Sequence, residues 1–184
     1  MNIRNSSEGY GAVAMALHWV VAAMVLVAWL LGLFGDDLPQ GAARDTGLFI
    51  HISLGLAIVA LVVARLFWRL SDPPPAPERS PLGAWGEWAS KAVHYVIYVL
   101  LIAIPIAGMA AQFARGHALP IFGLFEIASP WAADRAFARD VTEVHETLAN
   151  IMMILVGLHA TAALAHHYIL RDRTLTRMLP GAHA

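Results

Sequence analysis

Four histidines fall within one apolar stretch of this chain, Val141 to Leu170, VTEVHETLANIMMILVGLHATAALAHHYIL. An ionisable side chain at membrane depth is expensive, usually faces a bundle interior, and marks function by default. His145 and His159 are fourteen residues apart, which on a helix is a rise of ~21 Å and a rotation returning to within ~40° of the same face. Two stacked imidazoles on one face of a membrane helix are what a helix ligating two haems, one near each surface, would present. The rest of the chain must then supply the opposite ligands.

Composition bounds what those ligands can be. Of 184 residues, 59% are hydrophobic and 14% charged, far from an ordinary soluble domain, so an integral membrane protein embedded in lipid is expected. There is no cysteine, which excludes a disulfide framework, a thiolate-ligated or covalently attached haem and an iron–sulfur cluster. Redox chemistry would have to use histidine-ligated iron or bound organic cofactors. A net charge of −1 says nothing of partners until it is sorted by side of the membrane, and no nucleic acid is expected among them.

Four apolar runs are each long enough to cross ~30 Å of hydrocarbon at 1.5 Å per residue. They lie at about 11–34, 47–70, 91–113 and 144–170 and predict an all-α, single-domain, four-helix membrane bundle over 1–184. The first run is too long, and its end lacks the small-residue pattern, for a cleavable signal peptide. The linker SDPPPAPERSP after the second run cannot be helical, because proline removes donors and extends the residue before it. Residues 121–131 read equally as a short interfacial helix or a stretch lying on the surface, and no internal repeat is evident.

Lysine and arginine counted over the loops set the orientation. Arg4, Arg65, Arg69, Arg79, Lys91, Arg171, Arg173 and Arg177 fall on the side holding both termini, against Arg44, Arg115, Arg135 and Arg139 on the other. Both termini are therefore expected in the cytoplasm. The external layer then holds His51 and His145, and the cytoplasmic layer holds His18, His94 and His159. The external pair is unambiguous. The inner layer has one histidine too many for a bis-imidazole haem.

Fourteen residues beyond His18 is Gly32, and fourteen beyond His94 is Gly108. Both glycines fall in the outer layer, where the missing side chain leaves room for a macrocycle, although glycine also serves plain helix packing. Fourteen beyond His51 is Arg65, whose guanidinium matches a haem propionate and whose place also suits topology alone.

These residues resemble the bacterial cytochrome b561 family, small four-span di-haem b cytochromes of the inner membrane. The resemblance runs from about Tyr10 to Pro180 and rests on LHW (17–19), IHISLG (50–55), VVARLFWRL (62–70), HYVIY (94–98), HETLA (145–149) and GLHATAALAHHY (157–168). The family pattern implies His18 with His159 on one haem and His51 with His145 on the other. It also implies oxidation of superoxide at the periplasmic face and transfer of electrons to ubiquinone; the short loops and tail favour a stand-alone enzyme that requires no protein partner.

Given that activity, superoxide needs positive potential and access at the external face, with no catalytic base beyond the haems. Arg115, Arg44, Arg135 and Arg139 are the cations available at such an entrance, interleaved with seven acidic residues. At the cytoplasmic end, His166 lies two turns beyond His159 on nearly the same face, where histidine can donate to a quinone carbonyl and move protons. His94 is a second quinone contact, a propionate partner or a core histidine. His167 points ~100° away toward the interface, and His117 and His183 carry no role. Two other readings stay open: a cytochrome subunit linking a periplasmic dehydrogenase or hydrogenase to the quinone pool, and a non-haem transporter lined by histidines. Against the last, layers ~20 Å apart cannot share one ion.

Overall fold

The computed structural model describes residues 2–78 and 83–181; Arg79 and His183 lie outside the described residues. Four helices, α1 (Ala12–Phe34), α2 (Ala42–Ser71), α3 (Gly83–Ala114) and α4 (Arg135–Ala165), run up and down. All four are long and apolar enough to cross a membrane. The chain is a multi-pass, all-α membrane bundle. Helices α2, α3 and α4 begin several residues before the apolar runs do, because α-helical hydrogen bonding continues past the lipid boundary wherever nothing breaks it. At α4 the start is set by Asp134, whose Oδ1 accepts from the Ala136 and Phe137 amides at 3.0 and 3.1 Å; an N-cap of this kind contributes about 1 kcal/mol.

Helix α1 packs mainly on α2 and α3 mainly on α4, with α2 and α3 joining the pairs. The α1–α4 seam is looser and is bridged by Trp29 Nε1 donating to Asn150 Oδ1 at 3.1 Å. The core is a thin apolar slab of Val21, Val25, Ile58, Val62, Leu100, Leu101, Ile104 and Met152. Met152 sits seven residues from both His145 and His159, so the slab lies midway between the histidine layers and separates them. Leu26, Val27, Val63, Phe67, Val99 and Ile154 are exposed on the outside of the bundle, where lipid is as apolar as they are. Association in such a bundle rests on close packing and interhelical hydrogen bonds.

The segment between α3 and α4 forms no interfacial helix and lies largely on the surface. It forms an antiparallel hairpin of β1 (Leu119–Ile121) and β2 (Phe125–Ile127), with Leu119 opposite Ile127 and Ile121 opposite Phe125. Phe122 and Gly123 both take positive φ, 53° and 73°, and the Leu124 amide closes the turn on the Ile121 carbonyl. Phe122 lacks the Asn or Asp usual at such a position, which is why the sequence does not advertise the turn.

At the other face, the N-terminal segment, the linker after α2 and the C-terminal tail are clasped together by Arg177. Its guanidinium is buried and donates to the carbonyls of Glu8, Ala76 and Ser7 and to the Glu78 carboxylate, at 2.9 to 3.3 Å. Trp19 Nε1 in α1 donates to the Met178 carbonyl at 2.7 Å. The described part of the linker, Pro73–Glu78, has no regular structure, as its prolines require.

Candidate functional site: two histidine layers and a basic cavity

The bundle brings five of its nine histidines into two layers. At the loop face, His51 of α2 and His145 of α4 oppose each other with ring centroids 5.9 Å apart. At the termini face, His159 of α4 has two neighbours, His18 of α1 at 6.4 Å and His94 of α3 at 5.0 Å. An ion held between two imidazoles requires two bonds of about 2 Å and a ring half-width of about 1 Å at each end, hence roughly 6 Å between centroids. The His51–His145 and His18–His159 separations match that span. The His94–His159 separation falls short of it.

The outer pair is oriented by backbone. His51 Nδ1–H donates to the Ala28 carbonyl and His145 Nδ1–H to the Ile104 carbonyl, both at 2.8 Å. A carbonyl only accepts, so each bond places the proton on Nδ1 and leaves the Nε2 lone pair free, the tautomer a metal-ligating histidine needs. Four residues beyond each acceptor stands a glycine, Gly32 after Ala28 and Gly108 after Ile104. A Cβ on Gly32 would come to 3.4 Å from His51 Cε1, and one on Gly108 to 3.1 Å from His145 Cε1. The glycines thus make room for the imidazoles to reach the neighbouring carbonyl. Pro105, inside α3, removes the amide that would have bonded Leu101 and loosens the helix beside the Ile104 acceptor.

Each helix pair therefore carries the same arrangement. In α1–α2, His18, Ala28, Gly32 and His51 stand where His94, Ile104, Gly108 and His145 stand in α3–α4, and Arg65 occupies the place of His159. This pseudo-repeat involves too few residues to register as a sequence repeat.

The inner layer is arranged differently. His18 Nδ1 accepts from Arg65 Nη1 at 3.1 Å, which puts its proton on Nε2, the reverse of the outer tautomer. The Arg65 guanidinium also lies over the Tyr98 ring, 5.7 Å from its centroid. Tyr98 Oη and Trp68 Nε1 are buried without partners among the described residues, and Trp68 shares a small cavity with Arg65, Arg69 and Asp72. Unsatisfied buried donors cost ~1–3 kcal/mol each, and such a cluster beside a cation suits carboxylates of the kind haem propionates offer. His94 Nδ1–H donates to the Ser90 carbonyl one turn back, at 2.6 Å.

Of the remaining sequence candidates, His166 ends α4, and its Nδ1 meets Asp172 Oδ2 at 2.5 Å. His167 stacks edge-on against Tyr168. At the loop face a cavity of about 680 Å³ is lined by Arg115, His117, Arg135, Arg139, Thr142, Glu143 and Glu146 among others. Thr142 and Glu146 flank His145 on α4, so the cavity lies at the end of the bundle that holds the outer pair. Arg115 donates to Thr142 Oγ1 at 2.9 Å. Arg139 is 3.8 Å from Asp140, both well exposed. The structure does not bring Arg44 to this cavity: its guanidinium bonds the Asp36 carbonyl and lies 3.7 Å from that residue's carboxylate. Sequence reasoning gave His117 no role, because a loop histidine shows no periodicity; the folded loop places it in the cavity wall.

Comparison with known proteins identifies the family. The model of the prokaryotic cytochrome b561 family matches residues 9–181. The chain is 36% identical over 175 residues to a probable superoxide oxidase, CybB, of Yersinia pestis, covering 93% of this chain and 96% of that one. It is 34% identical over 182 residues to cytochrome b561 homolog 2 of Escherichia coli K12, covering 97% and 95%, and 27% identical over 179 residues to cytochrome b562 of Cereibacter sphaeroides, covering 93% and 95%. With opposed imidazoles inside an apolar bundle and a family match over nearly its whole length, the chain belongs to the prokaryotic cytochrome b561 family, membrane cytochromes that bind haem b and carry electrons.

Proposed function

We propose that this cytochrome holds two b haems in the bacterial inner membrane, oxidises superoxide at the periplasmic face and reduces ubiquinone at the cytoplasmic face. Both termini are cytoplasmic on this reading, in line with the excess of lysine and arginine on their side. His51 with His145 hold the outer haem and His18 with His159 the inner one. When bound, the haems supply one-electron redox chemistry at two depths of the membrane.

The observation that carries the reading is the basic cavity at the outer end of a bundle with two imidazole layers. Seven acidic residues share that side in sequence; folding engages three of them with other groups, while Glu143 lines the cavity together with Glu146 against three arginines. Asp36 engages Arg44, Asp134 caps α4, and Asp140 lies against Arg139. Arg115, Arg135 and Arg139 gather around one concavity, next to the N-terminal end of α4. An anion such as superoxide is drawn to such a concavity, and giving up a single electron requires no base. The name carried by the Yersinia relative supports the same activity.

At the inner end, iron binding by His18 requires Nδ1 to carry the proton, so Arg65 must release that nitrogen. The donors Tyr98 and Trp68, unpartnered among the described residues, support a propionate that draws the guanidinium away. Beyond it, His166 contacts the quinone head group on this reading, and His94 serves as a second contact.

Stopped-flow mixing of superoxide with the purified, quinone-loaded protein tests the proposal. Haem bands should reduce faster than superoxide dismutates and then reoxidise as quinol forms. Replacing Arg115, Arg135 and Arg139 together by Gln should slow the first phase roughly tenfold or more and remove most of its salt dependence. Absence of haem reduction by superoxide would defeat the assignment.

A further inference from the structure

The end of α4 is built around one hydrogen bond. The helix passes into a π-turn over His166–Leu170, and Arg171 then adopts the left-handed region at φ 56°. The chain reverses, the Asp172 amide bonds the His166 carbonyl at 3.1 Å, and the Asp172 carboxylate returns to the His166 ring at 2.5 Å. Asp172 Oδ1 accepts from the Thr174 amide at 2.8 Å, and Thr174 Oγ1 lies 3.4 Å from His166 Nδ1. The tail bearing Asp172 is anchored by its neighbours: Arg173 pairs with Glu8 and Glu78, and Arg177 is buried in the clasp.

An ionised carboxylate only accepts, so His166 Nδ1 must donate. Partial burial pushes the Asp172 carboxyl up, but hydrogen bonds from His166 and from the Thr174 amide and hydroxyl outweigh it and hold the carboxyl below its usual range. The ring is thereby fixed in orientation and tautomer, with Nε2 as its one free nitrogen.

Resting on the quinone contact proposed above, we infer that Asp172 and His166 form a proton-delivering dyad, in which Asp172 is the positioning residue and His166 Nε2–H is the donor to a quinone oxygen. Two superoxide anions become two dioxygen molecules and release two electrons. The quinone takes those electrons and two protons to become quinol. In each protonation the Nε2–H bond breaks, an O–H bond forms on the quinone, and the neutral imidazole recovers its proton from cytoplasmic water. Asp172 stays ionised throughout and holds Nδ1–H, so that Nε2 is the nitrogen that takes up and delivers the proton.

The test uses the haem-loaded protein with ubiquinone. Asp172→Asn should slow reoxidation by quinone roughly ten- to a hundredfold and enlarge its solvent deuterium isotope effect, while Asp172→Glu restores most of the rate. In ¹⁵N spectra the wild-type His166 ring should carry its proton on Nδ1 and lose that preference in Asp172→Asn. A slow His166→Ala protein beside a wild-type rate in Asp172→Asn would overturn the dyad and leave the quinone contact standing. Wild-type rates in both would remove the quinone contact itself. Should Asp172→Asn lose its haem, the wild-type ¹⁵N spectrum and Asp172→Glu decide, and an unprotonated Nδ1 in the wild type would overturn the inference.

Discussion

At the loop face, His51 and His145 each donate to a helix carbonyl and lie against a glycine. At the termini face, three imidazoles and a guanidinium share one level, and His18 faces Arg65 in place of a carbonyl. The outer acceptors are backbone atoms of packed helices and cannot move independently, so the outer pair has one arrangement. The inner pair depends on a long side chain with several rotamers, so its tautomers change when Arg65 changes partner. The outer layer is set by helix packing and the inner one by side-chain choice, although both grow from the same pseudo-repeat.

Removing an axial ligand should expose that difference most strongly. His145→Ala is expected to lose the outer haem outright and keep the inner one, about half the pyridine haemochrome signal of the parent. Two low-spin haems in that variant would mean that the opposed outer pair is not the ligand set. The inner layer should respond less simply. His18→Ala should lose or convert the inner haem, while His94→Ala keeps both, since the His94–His159 separation of 5.0 Å is too short to span an iron. Electron paramagnetic resonance of the two variants checks this, and the opposite outcome would pair α3 with α4 at this level.

A smaller effect would sharpen the account of the outer layer. Gly108→Ala should destabilise that haem's spectrum and the protein by roughly 1–3 kcal/mol through overpacking against the His145 ring, because the added Cβ meets Cε1 at 3.1 Å. Gly32→Ala should cost less, its nearest contact being 3.4 Å. Thermal unfolding of the two variants in detergent would rank them, and equal midpoints would show that the glycines do not serve the imidazoles.

Much of this could be read along the chain. Membrane-length apolar runs require helices, because unsatisfied backbone groups are too costly in lipid, and the 3.6-residue period places residues fourteen apart on one face. That arithmetic put His145 above His159, Gly32 above His18 and Gly108 above His94 before any packing was known. It also set His166 on the side of His159. These are properties of one helix at a time.

What passes between helices could not be read in this way. No period relates Ala28 to His51 or Ile104 to His145, and only the packed bundle reveals that a carbonyl four residues before each glycine receives an imidazole proton. The shift of Arg65 onto His18, the separation of Arg44 from the other external arginines and the return of Asp172 to His166 likewise depend on chain reversals. The same is true of the hairpin at 119–127, whose turn uses a phenylalanine at positive φ. Helical periodicity is local and survives in sequence. The partner of a polar side chain is fixed by whichever group the fold delivers within ~3 Å of it, and that distance is decided by tertiary structure.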